Sequence, residues 1–205
     1  MLFRSKIHKS NIRDIFPHEN LENIVEKNKP TIISILKDSS YQDSACQEGL
    51  LYILTHPLLD HCRDLARVSI LYLKNSEEMK GFSAPDHSRS LVCHGEFCYI
   101  ASKHYLHIYN LKTHEEETRI EVYCSNFEIL NGRVSALTGA FNIIFFIEGQ
   151  IDQTISDINS GHDMIVANKE LWVAIESQKI VICDDEKINK KIELPYHPLA
   201  LASLG

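Results

Sequence analysis

Glycine is scarce in this chain, with eight residues in 205, and that leaves little for a loop that cradles phosphate. The sequence has no G-x-x-x-x-G-K-[ST], no G-x-G-x-x-G, no G-x-S-x-G and no H-E-x-x-H. Nucleotide cradles, the hydrolase nucleophile turn and the zinc-protease helix are therefore unsupported, and we expect neither a catalyst nor a cofactor. Long apolar runs are lacking as well. The longest, around Phe141 to Ile147, is far shorter than the roughly 20 residues a membrane helix needs, so no membrane partner is expected. The opening MLFRSKIHKS carries no extended apolar h-region and reads as no secretory leader. Six cysteines are scattered without a disulfide framework, which fits a reducing, cytoplasmic setting.

Charge is present but uneven. The formal net charge of −7 argues against a general nucleic-acid coat. Residues 1–13 nonetheless hold Arg4, Lys6, Lys9 and Arg13 with no acid among them, interleaved with Leu2, Phe3, Ile7 and Ile12. Such an arm can track a phosphate backbone while Phe3 or the isoleucines wedge against bases. The alternative is a solvated terminus.

Residues 14–80 read as a helical region. Leu21, Ile24, Val25 and Asn28 share a helical face, and Pro30 stands where a helix can begin. Ser39 or Ser40 can cap a helix through Ala45, Gly49, Leu50 and Ile53. Pro57 then opens a longer one towards Lys74, with Leu58, Cys62, Leu65, Ser69 and Tyr72 on one face. Asn75 to Ser90 is polar and aperiodic, and 81–90 is taken as a linker.

After Ser90 an apolar frame recurs every 37 residues. Phe97, Val134 and Leu171 obey it, as do Val92, Ile129 and Val166, then Leu106, Ile143 and Ile180, and Ile108, Phe145 and Ile182. Each unit reads as four short strands joined by polar turns, a β-meander of the size of a propeller blade. The expected fold class is α+β: a stack of short helices, then three four-stranded antiparallel units across 91–205, as an incomplete propeller or one curved sheet.

The segment LHIYNL (Leu106 to Leu111) resembles the stretch that ends in Trp-Asp in WD-type propeller blades, and IIFFIE and IVICDD hold the same slot in the other units. Gly161 and His162 stand where that family has its Gly-His. The resemblance covers residues 90–194; no unit carries Trp-Asp, and only the third carries Gly-His. It implies four-stranded blades and a protein-binding role. Three blades cannot close around an axis. The N-terminal helices, a second copy joined through the open β edges, or strands added by a partner are the three ways to cover what remains open.

Few residues suggest chemistry. Cys93, Cys98, His104 and His107 have zinc-ligand types but not zinc-finger spacing, and the competing reading is buried thiols beside turn and surface histidines. His61-Cys62 is read as a core thiol next to a surface imidazole. Glu115, Glu116 and Glu117 make an acidic loop suited to a basic partner, and Lys187 and Lys190 a second contact near the last turn; both also read as solvated hairpin tips. Asp163, Asp184 and Asp185 are assigned to turns.

The functional expectation is a non-catalytic protein that docks on a large assembly and occludes a site. The leading assembly is the ribosome, with rRNA for the arm and ribosomal proteins for the acidic body. The compact build is loosely similar in style to microsporidian ribosome dormancy factors. The alternatives are an adapter whose WD-like propeller a partner completes, and a zinc protein or enzyme.

Overall fold

A computed structural model of the chain describes residues 21–36, 39–57, 66–140, 142–158, 161–198, 200 and 201. Helix α1 spans Leu21–Leu36. Sixteen strands follow: β1 Ser39–Gln47, β2 Leu50–Pro57, β3 Arg67–Tyr72, β4 Glu77–Ser83, β5 Ser90–His94, β6 Phe97–Ala101, β7 Leu106–Asn110, β8 Glu116–Ile120, β9 Cys124–Leu130, β10 Arg133–Thr138, β11 Ile143–Ile147, β12 Gln150–Ile155, β13 Gly161–Ala167, β14 Glu170–Ile175, β15 Lys179–Cys183 and β16 Ile188–Glu193. They form four four-stranded antiparallel meanders in chain order, β1–β4, β5–β8, β9–β12 and β13–β16. The three units expected over 90–194 are the last three of these. The first was not expected.

Short turns dictate this topology. The β1–β2, β9–β10, β11–β12 and β13–β14 hairpins close on two residues of positive φ, Glu48-Gly49, Asn131-Gly132, Glu148-Gly149 and Asn168-Lys169. Their backbone twist matches that of the paired strands, so each hairpin folds back in register.

Neighbouring sheets touch most closely along their first strands, β1 on β5, β5 on β9 and β9 on β13. The fourth strands β4, β8, β12 and β16 are mostly exposed. The sheets thus stand like blades, inner strand to inner strand, with apolar layers between them. Tyr52, Leu54 and Ile70 of the first sheet meet Leu91, Cys93 and Ile100 of the second. Tyr99 and Ile108 of the second meet Phe127, Val134 and Phe146 of the third. Leu137, Ile143 and Phe145 of the third meet Met164, Leu171 and Val173 of the fourth.

The outer face of the first sheet is covered by α1. Ile32, Ile35 and Leu36 pack on Cys46, Leu51, Ile53, Leu71 and Leu73. Asn28, fully buried, donates through Nδ2 to the Leu73 carbonyl at 3.1 Å, and Lys27 Nζ donates to the Lys74 carbonyl at 2.5 Å.

These findings correct the α+β expectation. The described residues hold one helix and a mostly β architecture, with no helix stack. The segment through Ala45, Gly49, Leu50 and Ile53 is the β1–β2 hairpin, Ser69 and Tyr72 belong to β3, and Pro30 lies inside α1. The physical reason is two-sided burial. In β2, Leu51 and Ile53 face α1 while Tyr52 and Leu54 face the second sheet, so the strand is apolar throughout and loses the period of two. The stretch with His61 and Cys62 lies outside the described residues, as does the start of the helical region from residue 14.

Candidate interaction surfaces

Three of the four first strands, β1, β9 and β13, carry an Asx residue at an irregularity in their pairing. In β1 the register shifts between Tyr41 and Asp43. One Asp43 carboxylate oxygen accepts the Ser44 amide at 2.9 Å; the other accepts the Leu91 amide at 2.9 Å and the Ser90 hydroxyl at 2.8 Å. In β9, Asn126 Oδ1 accepts the Phe127 amide at 2.8 Å while its Nδ2 donates to Asp163 Oδ1 at 2.6 Å and to the Met164 carbonyl at 3.2 Å. In β13 the register shifts between Gly161 and Asp163. Asp163 Oδ1 also accepts the Met164 amide at 3.0 Å, and Oδ2 accepts the Leu201 amide at 2.9 Å. These residues fasten one inner strand to its successor. Asp163 is therefore a buried strand residue, not a turn residue. The 37-residue spacing of Asn126 and Asp163 is the sequence signal that marks the pair.

Other polar groups do similar work. Gln47 Nε2 donates to the Gly95 carbonyl at 2.6 Å, and His94 Nε2 donates to the Gly132 carbonyl at 2.9 Å. Arg133 reaches Asp152 at 3.1 Å within its own sheet and Asp185 at 3.3 Å in the fourth.

One constellation has the residue types of a hydrolase. Ser102 Oγ lies 3.0 Å from His107 Nε2, and His107 Nδ1 lies 3.3 Å from Glu116. The Ser102 hydroxyl, however, donates to the Tyr105 carbonyl at 3.1 Å, and both Ser102 and His107 are buried. Burial pushes the His107 pKa below its ordinary value, against the opposing pull of Glu116. With its hydroxyl already given to backbone, Ser102 holds the β6–β7 turn together with His107, and the pair presents no nucleophile to solvent.

Of the four zinc candidates, Cys93 and Cys98 sit opposite each other on β5 and β6, both buried, and burial raises the Cys93 thiol pKa well above its usual range. His107 is engaged with Ser102, and His104 is exposed in the turn. Among the described residues no group of three His, Cys, Asp or Glu side chains is placed to hold a metal ion. The acidic loop is only partly free: Glu117 accepts from Asn110 Nδ2 at 2.6 Å and Glu116 faces His107, while Glu115 is exposed. Lys187 and Lys190 are exposed on the rim of the fourth sheet. Phe3, Arg4, Lys6, Lys9 and Arg13 lie outside the described residues.

Beyond the fourth sheet no further sheet lies among the described residues, although Ala174 and Ile182 on its outward side are buried. Register pairs Trp172 with Ile182 and Ala174 with Ile180 on that side, while Leu171, Val173 and Val181 point back into the third sheet. Trp172 and Ile180 are half-buried, and Trp172 Nε1 is buried without a hydrogen-bond partner. No helix among the described residues is long and apolar enough to cross a membrane.

No family model matches the sequence, and no curated protein matches it. Solved structures do match the fold. The chain is similar to BBS1N as seen in complex with ARL6DN, with a TM-score of 0.65 and 14% identity over 80% of this chain and 54% of that one. It is also similar to BamB from Moraxella catarrhalis, with a TM-score of 0.56 and 10% identity over 80% of this chain and 53% of the other. The WD40 β-propeller domain of Doa1 aligns with a TM-score of 0.56 and 10% identity, over 77% and 55%. The architecture is β-propeller-like, and this chain spans about half the length of the structures it matches.

Proposed function

We propose that this chain is a non-catalytic binding module that joins a larger protein assembly as an adapter. The observation that carries this reading is the use made of its polar side chains. Asp43, Asn126, Asp163, Gln47, His94 and Arg133 fasten sheet to sheet, and Ser102 and His107 hold a turn, so the chemistry-bearing residues maintain a scaffold. Rims and faces are what remain to be offered. The match to BBS1N, whose structure is a complex with ARL6DN, supports a protein as the partner class.

The finer reading is docking on the ribosome by site occlusion. It rests on charge alone: a basic segment at 1–13 on a chain of net charge −7, which suits rRNA at one end and basic proteins at the body. Gradient sedimentation of tagged protein from native lysate, with and without nuclease, tests both readings. A nuclease-resistant complex smaller than a ribosomal particle is expected for the adapter. Comigration with ribosomal particles that nuclease or high salt abolishes would overturn the adapter reading in favour of the ribosome. Charge reversal at Arg4, Lys6, Lys9 and Arg13 should then reduce the salt dependence of binding.

A further inference from the structure

We infer that the end of the second sheet at the β6–β7 turn is a docking site for an extended acidic segment of a partner protein, clasped between Arg89 and Arg119. The inference rests on the adapter reading and specifies the chemistry of its partner.

The first argument is the use made of the arginines. Four lie among the described residues. Arg67 reaches Glu78 at 3.6 Å, and Arg133 reaches Asp152 and Asp185. Arg89 and Arg119 make no ion pair among the described residues; each lies over a tyrosine instead. The guanidinium carbon of Arg89 is 5.7 Å from the centre of the Tyr123 ring, and that of Arg119 is 5.4 Å from the centre of the Tyr105 ring. Arg89 Nη1 also donates to the Tyr123 hydroxyl at 3.2 Å. Both arginines are exposed, and the exposed Glu121, next but one after Arg119, pairs with neither. A guanidinium held over a ring still offers its in-plane N–H groups to a carboxylate, and the ring has already restricted the long side chain. Less ordering then remains to be done on binding.

The second argument is placement. The Arg89 amide donates to the Ala101 carbonyl at 2.8 Å, where β6 ends. The Ser102 amide donates to the Tyr105 carbonyl at 2.9 Å across the β6–β7 turn, and Leu106 pairs with Ile120, the neighbour of Arg119. Arg89 thus stands beside the inner strand and Arg119 on the outer one of the same sheet. Their backbones are about 14 Å apart by strand spacing, and the exposed Lys103 and His104 lie in the turn between them. An extended chain advances about 3.3 Å per residue, so carboxylates about four residues apart, on one side of it, span this row. Asp86 at the same end is engaged with His87 at 3.5 Å. The corresponding turns of the third and fourth sheets carry no cation: Gly139, Ala140 and Asn142 belong to one, Glu176, Ser177 and Gln178 to the other. The cationic row is therefore local to the second sheet, on a chain of net charge −7.

The third argument selects the occupant. Single-stranded nucleic acid would need open ring faces for its bases. Both rings already carry a guanidinium, and Tyr123 also lies against Gly139, where an added Cβ would fall 2.8 Å from ring carbon Cδ1. The net charge of −7 also opposes the approach of a polyphosphate. An acidic protein segment needs only the in-plane N–H groups and the ammonium of Lys103, and finds them in one row.

The test is fluorescence anisotropy of the full chain with a labelled oligoglutamate about ten residues long, which presents carboxylates at every spacing along roughly 33 Å when extended. Expected is binding that the double variant Arg89→Gln/Arg119→Gln weakens about tenfold or more, roughly 1.4 kcal/mol or above. Lys191→Gln, at an exposed cation of β16 on the fourth sheet, should leave it unchanged. Arg89→Lys/Arg119→Lys keeps the charge and loses the planar fork, and should weaken binding several-fold. It keeps the test sound if the glutamine variant perturbs folding. Full affinity in the lysine variant overturns the inference, as do an equal loss in Lys191→Gln, no binding by the parent chain, or tighter binding of an oligouridylate of the same length. In native lysate, the nuclease-resistant complex should disappear from the gradient when both arginines are replaced by glutamine. A complex that survives the replacement overturns the inference and leaves the adapter reading standing. Absence of any such complex with the parent chain overturns both.

Discussion

Asp43 ties two sheets together through one carboxylate. It accepts three hydrogen bonds, from Ser44, Ser90 and Leu91, and two of them bridge the first and second sheets. Asp43→Ala should lower stability by about 2 kcal/mol or more, since hydrogen bonds to a charged acceptor are each worth about 1.5–3 kcal/mol and the amides left behind are unsatisfied. Urea denaturation measures this as a fall in the midpoint, and Asp184→Ala, which removes contacts only within an exposed hairpin, should cost much less. His107 makes the fold acid-sensitive in a definite direction. Its pKa in the folded chain lies below the ordinary 6.5, so the unfolded chain binds the extra proton first. The stability it secures is complete above about pH 6.5 and declines as pH falls towards the lower folded value. A His107→Gln variant should show a flatter fall in thermal midpoint between pH 7 and 5 than the parent chain.

Strands and turns differ in how they tolerate change. Gly81 lies in β4 opposite the irregularity between Val68 and Ile70, and a Cβ there would fall 2.0 Å from the Val68 carbonyl oxygen. Gly81→Ala should therefore open the β3–β4 pairing and cost about 2 kcal/mol or more, within the range of mutations that create severe overlap. Gly132, at φ +75 in an open hairpin turn with nothing within 4 Å, is a contrasting case. Gly132→Ala should cost only about 1 kcal/mol, from backbone strain alone. Thermal denaturation of the two variants should rank them in that order; the reverse order would contradict the described pairing of β3 with β4.

At the scale of the whole molecule, the four sheets form an arc whose two end faces are treated differently. The face at the first sheet is sealed by α1; at the fourth, Ala174 and Ile182 are buried while Trp172 and Ile180 are half-buried. Ile35→Asp should loosen the seal and expose Leu51, Ile53, Leu71 and Leu73, a contiguous apolar patch. Self-association or precipitation of the variant is expected by light scattering after size exclusion. A monodisperse Ile35→Asp protein with the parent's stability would show that α1 is not required to cover that face.

The 37-residue frame was legible without coordinates because the third and fourth sheets keep it, Val134 and Leu171 each facing the preceding sheet, whereas Phe97 and Val134 lie on opposite sides of the layer between the second and third sheets; short polar turns such as Asn131-Gly132 announce hairpins by their backbone demands alone. From this the sequence by itself determined three four-stranded units and the absence of familiar catalytic motifs. It did not reveal the first sheet. Strand β2 is packed on both sides, so its run LLYILT carries no alternation, and a strand buried on two faces looks in sequence like the wall of a buried helix. The inter-sheet role of Asp43 and Asp163 was hidden for a related reason: local preference explains an Asp in a turn, whereas only packing brings the amides of Leu91 and Leu201, 48 and 38 residues away, to its carboxylate. Periodicity is a property of neighbours along the chain and survives in the sequence. Which apolar face meets a helix, which meets a sheet and which stays open depends on contacts between distant segments, and tertiary structure alone decides it.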